Sequence, residues 1–192
     1  MKDVDDYIMI QNLMPVELCK SLIRENSLPE KKWSKHSWAS YDQVENASPQ
    51  KAKDELDIIP ATREQFKMIE TYLLEALRKY QAKYSQVEGR SGSGWIGHIS
   101  ALRFNRYKVG TQMQTHYDHI HTIFDGKYKG IPILSFIGLL NDNYQGGEVL
   151  CRKKEIKLKR GDILLFPSNF MYPHRVKEIT KGIRYSFVSW AF

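Results

Sequence analysis

From about residue 99 onward the chain is cut into pieces too short to be anything but β-strands, and this limits its fold more than any other feature. Turn-forming triplets recur at short intervals: Gln145-Gly146-Gly147, Arg160-Gly161-Asp162 and Thr180-Lys181-Gly182. Between and beyond them lie strand-like stretches over 148–151, 155–159, 163–166, 174–176 and 183–192. Residues 99–107 also read as β, and the apolar run 131–140 carries Ile133, Leu134, Phe136 and Ile137. Pro132 and Gly138 favour a buried strand over a short helix in that run. Many short strands at even spacing suit a sandwich, a jelly roll or a barrel.

The first part has a different period. After a short opening strand at Tyr7-Ile8-Met9-Ile10, Pro15 suits a helix's first turn, and Val16, Cys19, Leu22 and Ile23 recur at helical spacing. A second, longer helix is expected over 61–84, with Phe66, Ile69, Leu73, Leu77, Tyr80 and Tyr84 on one face. Residues 27–60 read as irregular and polar, with Trp33, Trp38 and Tyr41 set among charges. These aromatics either pack locally or belong to a segment that closes over a ligand. Arg90-Ser91-Gly92-Ser93-Gly94 reads as a flexible loop. The expectation is one domain over 1–192 of α+β class, with a helical support region over 1–85 and a strand-rich core over 97–192. Its 192 residues suit one sizeable core.

Composition narrows the setting. No run approaches the ~18 apolar residues of a membrane span, and the acidic start Met1-Lys2-Asp3-Val4-Asp5-Asp6 has no signal-peptide core. With only Cys19 and Cys151 present, a cytoplasmic setting is expected. The net charge of +7 raises the question of a nucleic-acid partner. In its densest stretch, 152–160, Ile156 and Leu158 alternate with Glu155, Lys157 and Lys159. That is the pattern of a half-buried strand with a solvated face, so a nucleic-acid partner is not expected.

Of six histidines, three cluster in Thr115-His116-Tyr117-Asp118-His119-Ile120-His121. In a strand, His116 and Asp118 share a face. Such a pair can supply two ligands of a 2-His-1-carboxylate site for non-haem iron(II), with His174 as a distant third. HxD alone is a weak signal, and His119-x-His121 is a competing pair. His36 and His98 fall in no motif. Ten residues beyond His174, Arg184 stands in the apolar strand Ile183-Arg184-Tyr185-Ser186-Phe187-Val188-Ser189-Trp190. A cation there needs a partner. It is either a ligand carboxylate gripped by two hydrogen bonds or a structural salt bridge.

In this order, His116-x-Asp118, His174 and Arg184 resemble the iron(II)/2-oxoglutarate dioxygenases, in particular the prolyl 4-hydroxylase branch. Further matching segments are 103–110 with its Tyr107-Lys108-Val109-Gly110, Leu139-Leu140-Asn141 with 144–149, 159–166 and the opening 12–19. The resemblance is strong over 99–192 and looser over 1–85. It implies a double-stranded β-helix (jelly-roll) core. It also implies iron held by His116, Asp118 and His174, with 2-oxoglutarate anchored by Arg184 and contacted by Tyr107, Ser186 and Trp190. Molecular oxygen and a proline-bearing peptide or protein are the implied partners, and ascorbate the accessory reductant. Leu139 departs from the pattern, because relatives often carry a tyrosine near it. Arg184, where collagen-modifying relatives commonly have lysine, places the chain nearer the non-collagen members. Two rivals remain: a nucleic-acid demethylase of the same superfamily, and a cupin-like or non-enzymatic jelly-roll module. The demethylases typically carry a second arginine where this chain has Trp190. The modules leave Arg184 unexplained.

Overall fold

The computed structural model describes residues 3–36, 55–84, 96, 98–118 and 132–192. Trp38, Tyr41, His119, His121 and the 90–94 loop lie outside them. In chain order the elements are β1 (Met9–Asn12), α1 (Val16–Asn26), β2 (Ser34–Lys35), β3 (Asp57–Pro60), α2 (Arg63–Tyr84), β4 (Arg103–Tyr107), β5 (Met113–His116), β6 (Leu134–Leu139) and β7 (Gln145–Gly146). They continue with β8 (Val149–Cys151), β9 (Lys154–Ile156), β10 (Asp162–Pro167), β11 (His174–Val176), β12 (Ile179–Lys181) and β13 (Arg184–Ala191). Among the described residues a seven-stranded sheet runs β1-β10-β6-β13-β4-β3-β2, and a four-stranded sheet runs β5-β11-β8-β9. A two-stranded ribbon pairs β12 with β7. All these ladders are antiparallel. This is the expected α+β jelly roll.

The large sheet is buried on both faces, and strand alternation sorts its side chains into two cores. On one face Phe104, Phe136, Leu140, Ile163, Leu165, Phe187 and Ala191 pack with Cys19 and Leu22 of α1 and Ile69, Leu73, Ala76, Leu77 and Tyr80 of α2. On the other, Tyr107, Ile137, Leu164 and Phe166 pack with Met113, Val149, Cys151, Ile156 and Val176 of the small sheet and with Ile179. This explains the unbroken apolar run in β6. Each fully buried Leu or Phe contributes roughly 1.5–3 kcal/mol relative to exposure.

Local chemistry fixes the elements in place. Thr62 and Gln65 cap α2 reciprocally: the Thr62 backbone N–H donates to Gln65 Oε1 (3.0 Å), and the Gln65 N–H to Thr62 Oγ1 (3.2 Å). Gln65 Nε2 also donates to Asn26 Oδ1 at 3.2 Å and so ties α2 to α1. At the Arg160-Gly161-Asp162 turn, Gly161 has φ +86°, and an added Cβ would sit 2.5 Å from the Met14 carbonyl oxygen. Only glycine suits that position. The charged β9 is an edge strand, as its Lys and Glu pattern implied.

The expectations for 27–60 and 1–85 need correction. Besides helices, the first part supplies β1, β2 and β3, all within the large sheet. The opening strand was expected; the short lengths of β2 and β3 hid those two. Trp33 packs locally on the helix side. Its Nε1 donates to the Asn26 carbonyl (2.9 Å), and its ring lies 4.4 Å beneath the Arg106 guanidinium. No described helix is long and apolar enough to cross a membrane.

The closest packing in the large sheet gives a test. A Cβ added at Gly138 would overlap the Phe187 ring, so Gly138→Ala should destabilise the protein by about 1–3 kcal/mol. A urea unfolding curve reads this as a lower midpoint at unchanged slope.

Candidate metal centre and carboxylate slot

The metal candidates come from the antiparallel pairing of β5 with β11, which sets His116 directly opposite His174. Their ring centroids are 4.2 Å apart. The His116 Nδ1–H donates to the Gln114 carbonyl at 2.8 Å, and the His174 Nδ1–H to the Tyr172 carbonyl at 3.1 Å. A carbonyl can only accept, so each ring carries its proton on Nδ1 and offers a lone pair at Nε2. β5 ends at His116, so Asp118 lies past the strand rather than in it. It nevertheless turns inward with His116 while Tyr117 is exposed. Asp118 Oδ1 is 3.4 Å from His116 Nε2, and Oδ2 is 3.7 Å from His174 Nε2. The three ligand atoms all lie within 4.8 Å of one another. Two imidazoles and one carboxylate so disposed can hold one divalent iron with open positions.

The surroundings keep these groups in ligating form. Burial alone pushes the Asp118 carboxyl up, but His174, His116 and the Ser135 hydroxyl outweigh it and hold the group well below the usual carboxylate range. Ser135 Oγ donates to Asp118 Oδ2 at 2.6 Å and lies 2.8 Å from Ser168 Oγ. Burial lowers the pKa of His174, against the pull of Asp118, and so keeps the ring neutral. Phe166 packs against that ring at 4.7 Å. Orienting partners of this kind fix ligand geometry.

The second half of the site is Arg184. It begins β13 on the face of the inner core, is 1% exposed and stands opposite Tyr107. The guanidinium lies 5.0 Å from the centre of the Tyr107 ring. Its Nη1 donates to Ser186 Oγ at 2.8 Å, while Nε and Nη2 have no hydrogen-bond partner. Among the described residues no carboxylate pairs with Arg184, so the structural salt bridge is not found. The unpartnered atoms form one edge of the guanidinium, the edge that Arg106 turns to Asp57 elsewhere in this protein, at 3.1 and 2.8 Å. Two orphaned donors on a buried cation fit a carboxylate from a ligand. A cavity of about 160 Å³ borders Arg184, lined also by Tyr144, Gly147, Val149 and Ile156.

Tyr107, Ser186 and Trp190 all face this interior. Burial raises the Tyr107 pKa, against the charges of Arg184 and Arg103, so the phenol keeps its proton. Trp190 pairs across the strands with Ser135. Leu139, opposite Ser186, is fully buried and offers no hydroxyl. Cys151 is buried with its thiol pushed up to about 12, in keeping with inert packing. His36 is buried 3.3 Å from Glu55 Oε2, and burial together with Arg103 and His116 pushes it down to about 4.

Three features escaped the motif reading. Ser135 and Ser168 leave no signal beyond being polar residues in buried strands. Gly147 was read as part of a turn and hairpin motif but not as a neighbour of Arg184, yet an added Cβ there would lie 3.0 Å from Arg184 Cδ and 2.5 Å from Ile179 Cδ1. Arg103 lies in phase with Tyr107 along β4, and that alternation could have marked it as facing inward.

Comparison with known proteins agrees with this geometry. Residues 102–192 match the model of the 2OG-Fe(II) oxygenase superfamily. A PKHD-type hydroxylase of Crocosphaera subtropica is 34% identical over 99 residues, which cover 48% of this chain and 43% of that relative. The chain thus spans less than half the length of that relative. Among solved structures, a Pseudomonas putida prolyl-4-hydroxylase superposes with a TM-score of 0.66 at 18% identity, covering 98% of this chain and 96% of that one. The viral collagen prolyl hydroxylase of Paramecium bursaria Chlorella virus-1, in its 2-oxoglutarate complex, gives 0.64 at 16% identity, covering 96% of this chain and 94% of that one. The fold is that of these prolyl hydroxylase structures, and the similarity to the 2OG-Fe(II) oxygenase superfamily model spans residues 102–192.

Proposed function

We propose that this chain is an iron(II)- and 2-oxoglutarate-dependent dioxygenase that hydroxylates a prolyl residue in a peptide or protein and converts 2-oxoglutarate to succinate. The observation that carries the reading is the buried Nε/Nη2 edge of Arg184, unpartnered on the sheet face that also carries Ser135, the donor to Asp118. A metal site without a second anion slot would suit many proteins. The two together suit a co-substrate that has a chelating end and a distal carboxylate. The solved structures that share the fold are named prolyl hydroxylases, and this supports the prolyl assignment.

His116 and His174 would hold iron(II) through Nε2, and Asp118 through its carboxylate. Bound iron with 2-oxoglutarate and oxygen supplies the oxidising power for an unactivated C–H bond, which no side chain can provide. The remaining work belongs to the chain. The Nδ1 hydrogen bonds fix both imidazoles, and Ser135 orients Asp118. Arg184 grips the distal carboxylate of 2-oxoglutarate, with Ser186 steadying its guanidinium and Tyr107 beneath it. Leu164, Phe166, Val149 and Ile137 make the surrounding core apolar and exclude water.

Two outcomes follow. Manganese(II) titration should find one site, and His174→Ala should lose it. Because burial lowers the His174 pKa, its lone pair stays available through neutral pH. Affinity should hold between pH 8 and pH 7, then fall by ~10-fold per pH unit once His174 takes up the proton that the metal must displace. Normal metal content in folded His174→Ala protein would remove the assignment. Arg184→Ala should weaken 2-oxoglutarate binding to manganese-loaded protein by roughly 30- to 3000-fold, the loss of ~2–5 kcal/mol expected when a buried charge pair is cut. Metal affinity should not change, and Arg184→Lys should recover part of the loss. Unchanged 2-oxoglutarate affinity in folded Arg184→Ala protein would contradict the reading.

A further inference from the structure

The inner face of the large sheet carries a second arginine. Arg103 opens β4, and its neighbour Phe104 belongs to the helix-side core, so Arg103, Asn105 and Tyr107 share the inner face. Tyr107 stands opposite Arg184, and Arg103 stands opposite Val188. Four residues of strand, roughly 13 Å, separate Arg103 from Tyr107. The two arginines therefore occupy opposite ends of this face.

Arg103 is at the metal end. Its guanidinium lies 5.8 Å from the centre of the Trp190 ring, Trp190 is the strand partner of Ser135, and Ser135 donates to Asp118. Arg103 Nε donates to Asn105 Oδ1 at 3.2 Å, which directs that edge into the protein, and among the described residues Nη1 and Nη2 make no hydrogen bond. Among the described residues no carboxylate forms an ion pair with Arg103, although it is half-buried. The indole Nε1 of Trp190 is also buried without a partner. The one carboxylate whose charge reaches Arg103 among the described residues is Asp118, which is already engaged by His116, His174 and Ser135. A half-buried cation stacked on an aromatic ring beside an orphaned N–H donor therefore gains from a further anion. The planar Nη1/Nη2 fork matches a carboxylate with two parallel hydrogen bonds.

Resting on the function proposed above, we propose that Arg103 is a specificity-determining residue that receives a carboxylate of the acceptor. The preferred substrates then carry an acidic group close to the carbon that is hydroxylated. In a peptide this group is an Asp or Glu side chain beside the proline. In a small acceptor it is the α-carboxylate.

The test uses paired acceptors that differ only in charge. Proline peptides flanked by Asp or Glu are compared with the same peptides carrying Asn or Gln, and L-proline with L-prolinamide. Mass spectrometry reads the product one oxygen heavier, and succinate formation is followed in parallel. With wild-type protein the acid-over-amide ratio of kcat/KM should be about 30 or more in one of the two acceptor sets, and that set identifies the source of the carboxylate. The ratio should fall to near one in Arg103→Met. In Arg103→Glu the preference should move to Lys-flanked peptides. A wild-type ratio near one in both sets, or no hydroxylated product while 2-oxoglutarate-dependent succinate forms, overturns this inference alone. So does a ratio that persists in Arg103→Met. If Arg103→Met weakens 2-oxoglutarate binding as much as Arg184→Ala does, Arg103 serves the co-substrate and the inference fails. Wild-type protein that forms no succinate from 2-oxoglutarate overturns the underlying function as well.

Discussion

The candidate site depends on one constraint: the seven-stranded sheet is buried on both faces, so every second residue of its central strands must enter a core. Phe104, Phe136, Ile163 and Phe187 fill the side facing the helices. Their immediate neighbours are thereby committed to the interior of the jelly roll. Polar residues there cannot turn back to solvent, because a one-residue slip would exchange both cores at once. Arg184 and Ser186 on β13, Tyr107 on β4 and Ser135 on β6 are held inside by the apolar residues beside them. The packing energy of the helix side is what fixes a polar constellation on the other.

Within that frame the two halves of the site are made differently. The metal half comes from strand pairing, since β5 and β11 bring His116 and His174 face to face, and the carbonyl two residues before each histidine sets its tautomer. The carboxylate half is a deficit. Arg184 lies in the interior with one hydrogen bond to Ser186 and two donors unused, a state that costs free energy in the ligand-free protein. Gly147 keeps the space beside its side chain clear. A buried cation left incomplete is poor stabilisation and good preorganisation for an anion.

Much of this was legible in the sequence, for physical reasons. Strand–turn punctuation is local, so β10 and β13 fall where the turns at Gly161 and Gly182 put them. The spacing of His116 and Asp118 carries information because side-chain direction alternates, and the two remain together although β5 stops at His116. Arg184 stood out because a cation in an apolar strand is rare. Less was legible where strands were short or chemistry plain. β2 and β3 are too short to show a period, Ser135 and Ser168 acquire meaning only through Asp118, and Arg103 was not singled out although it lies in phase with Tyr107. Trp33 lies on the helix side through its contacts with Asn26 and Arg106, which no local pattern announces.

The central claim is that the unpartnered edge of Arg184 is a slot for the distal carboxylate of 2-oxoglutarate. Its most direct test changes the ligand and leaves the protein intact. Calorimetric titration of manganese-loaded protein compares 2-oxoglutarate with 2-oxobutyrate, which keeps the chelating keto acid and lacks the distal carboxylate. Loss of a buried charged pairing predicts that 2-oxobutyrate binds at least about 30-fold more weakly. Equal affinities for the two keto acids would mean that Arg184 receives no ligand carboxylate, and would contradict the account.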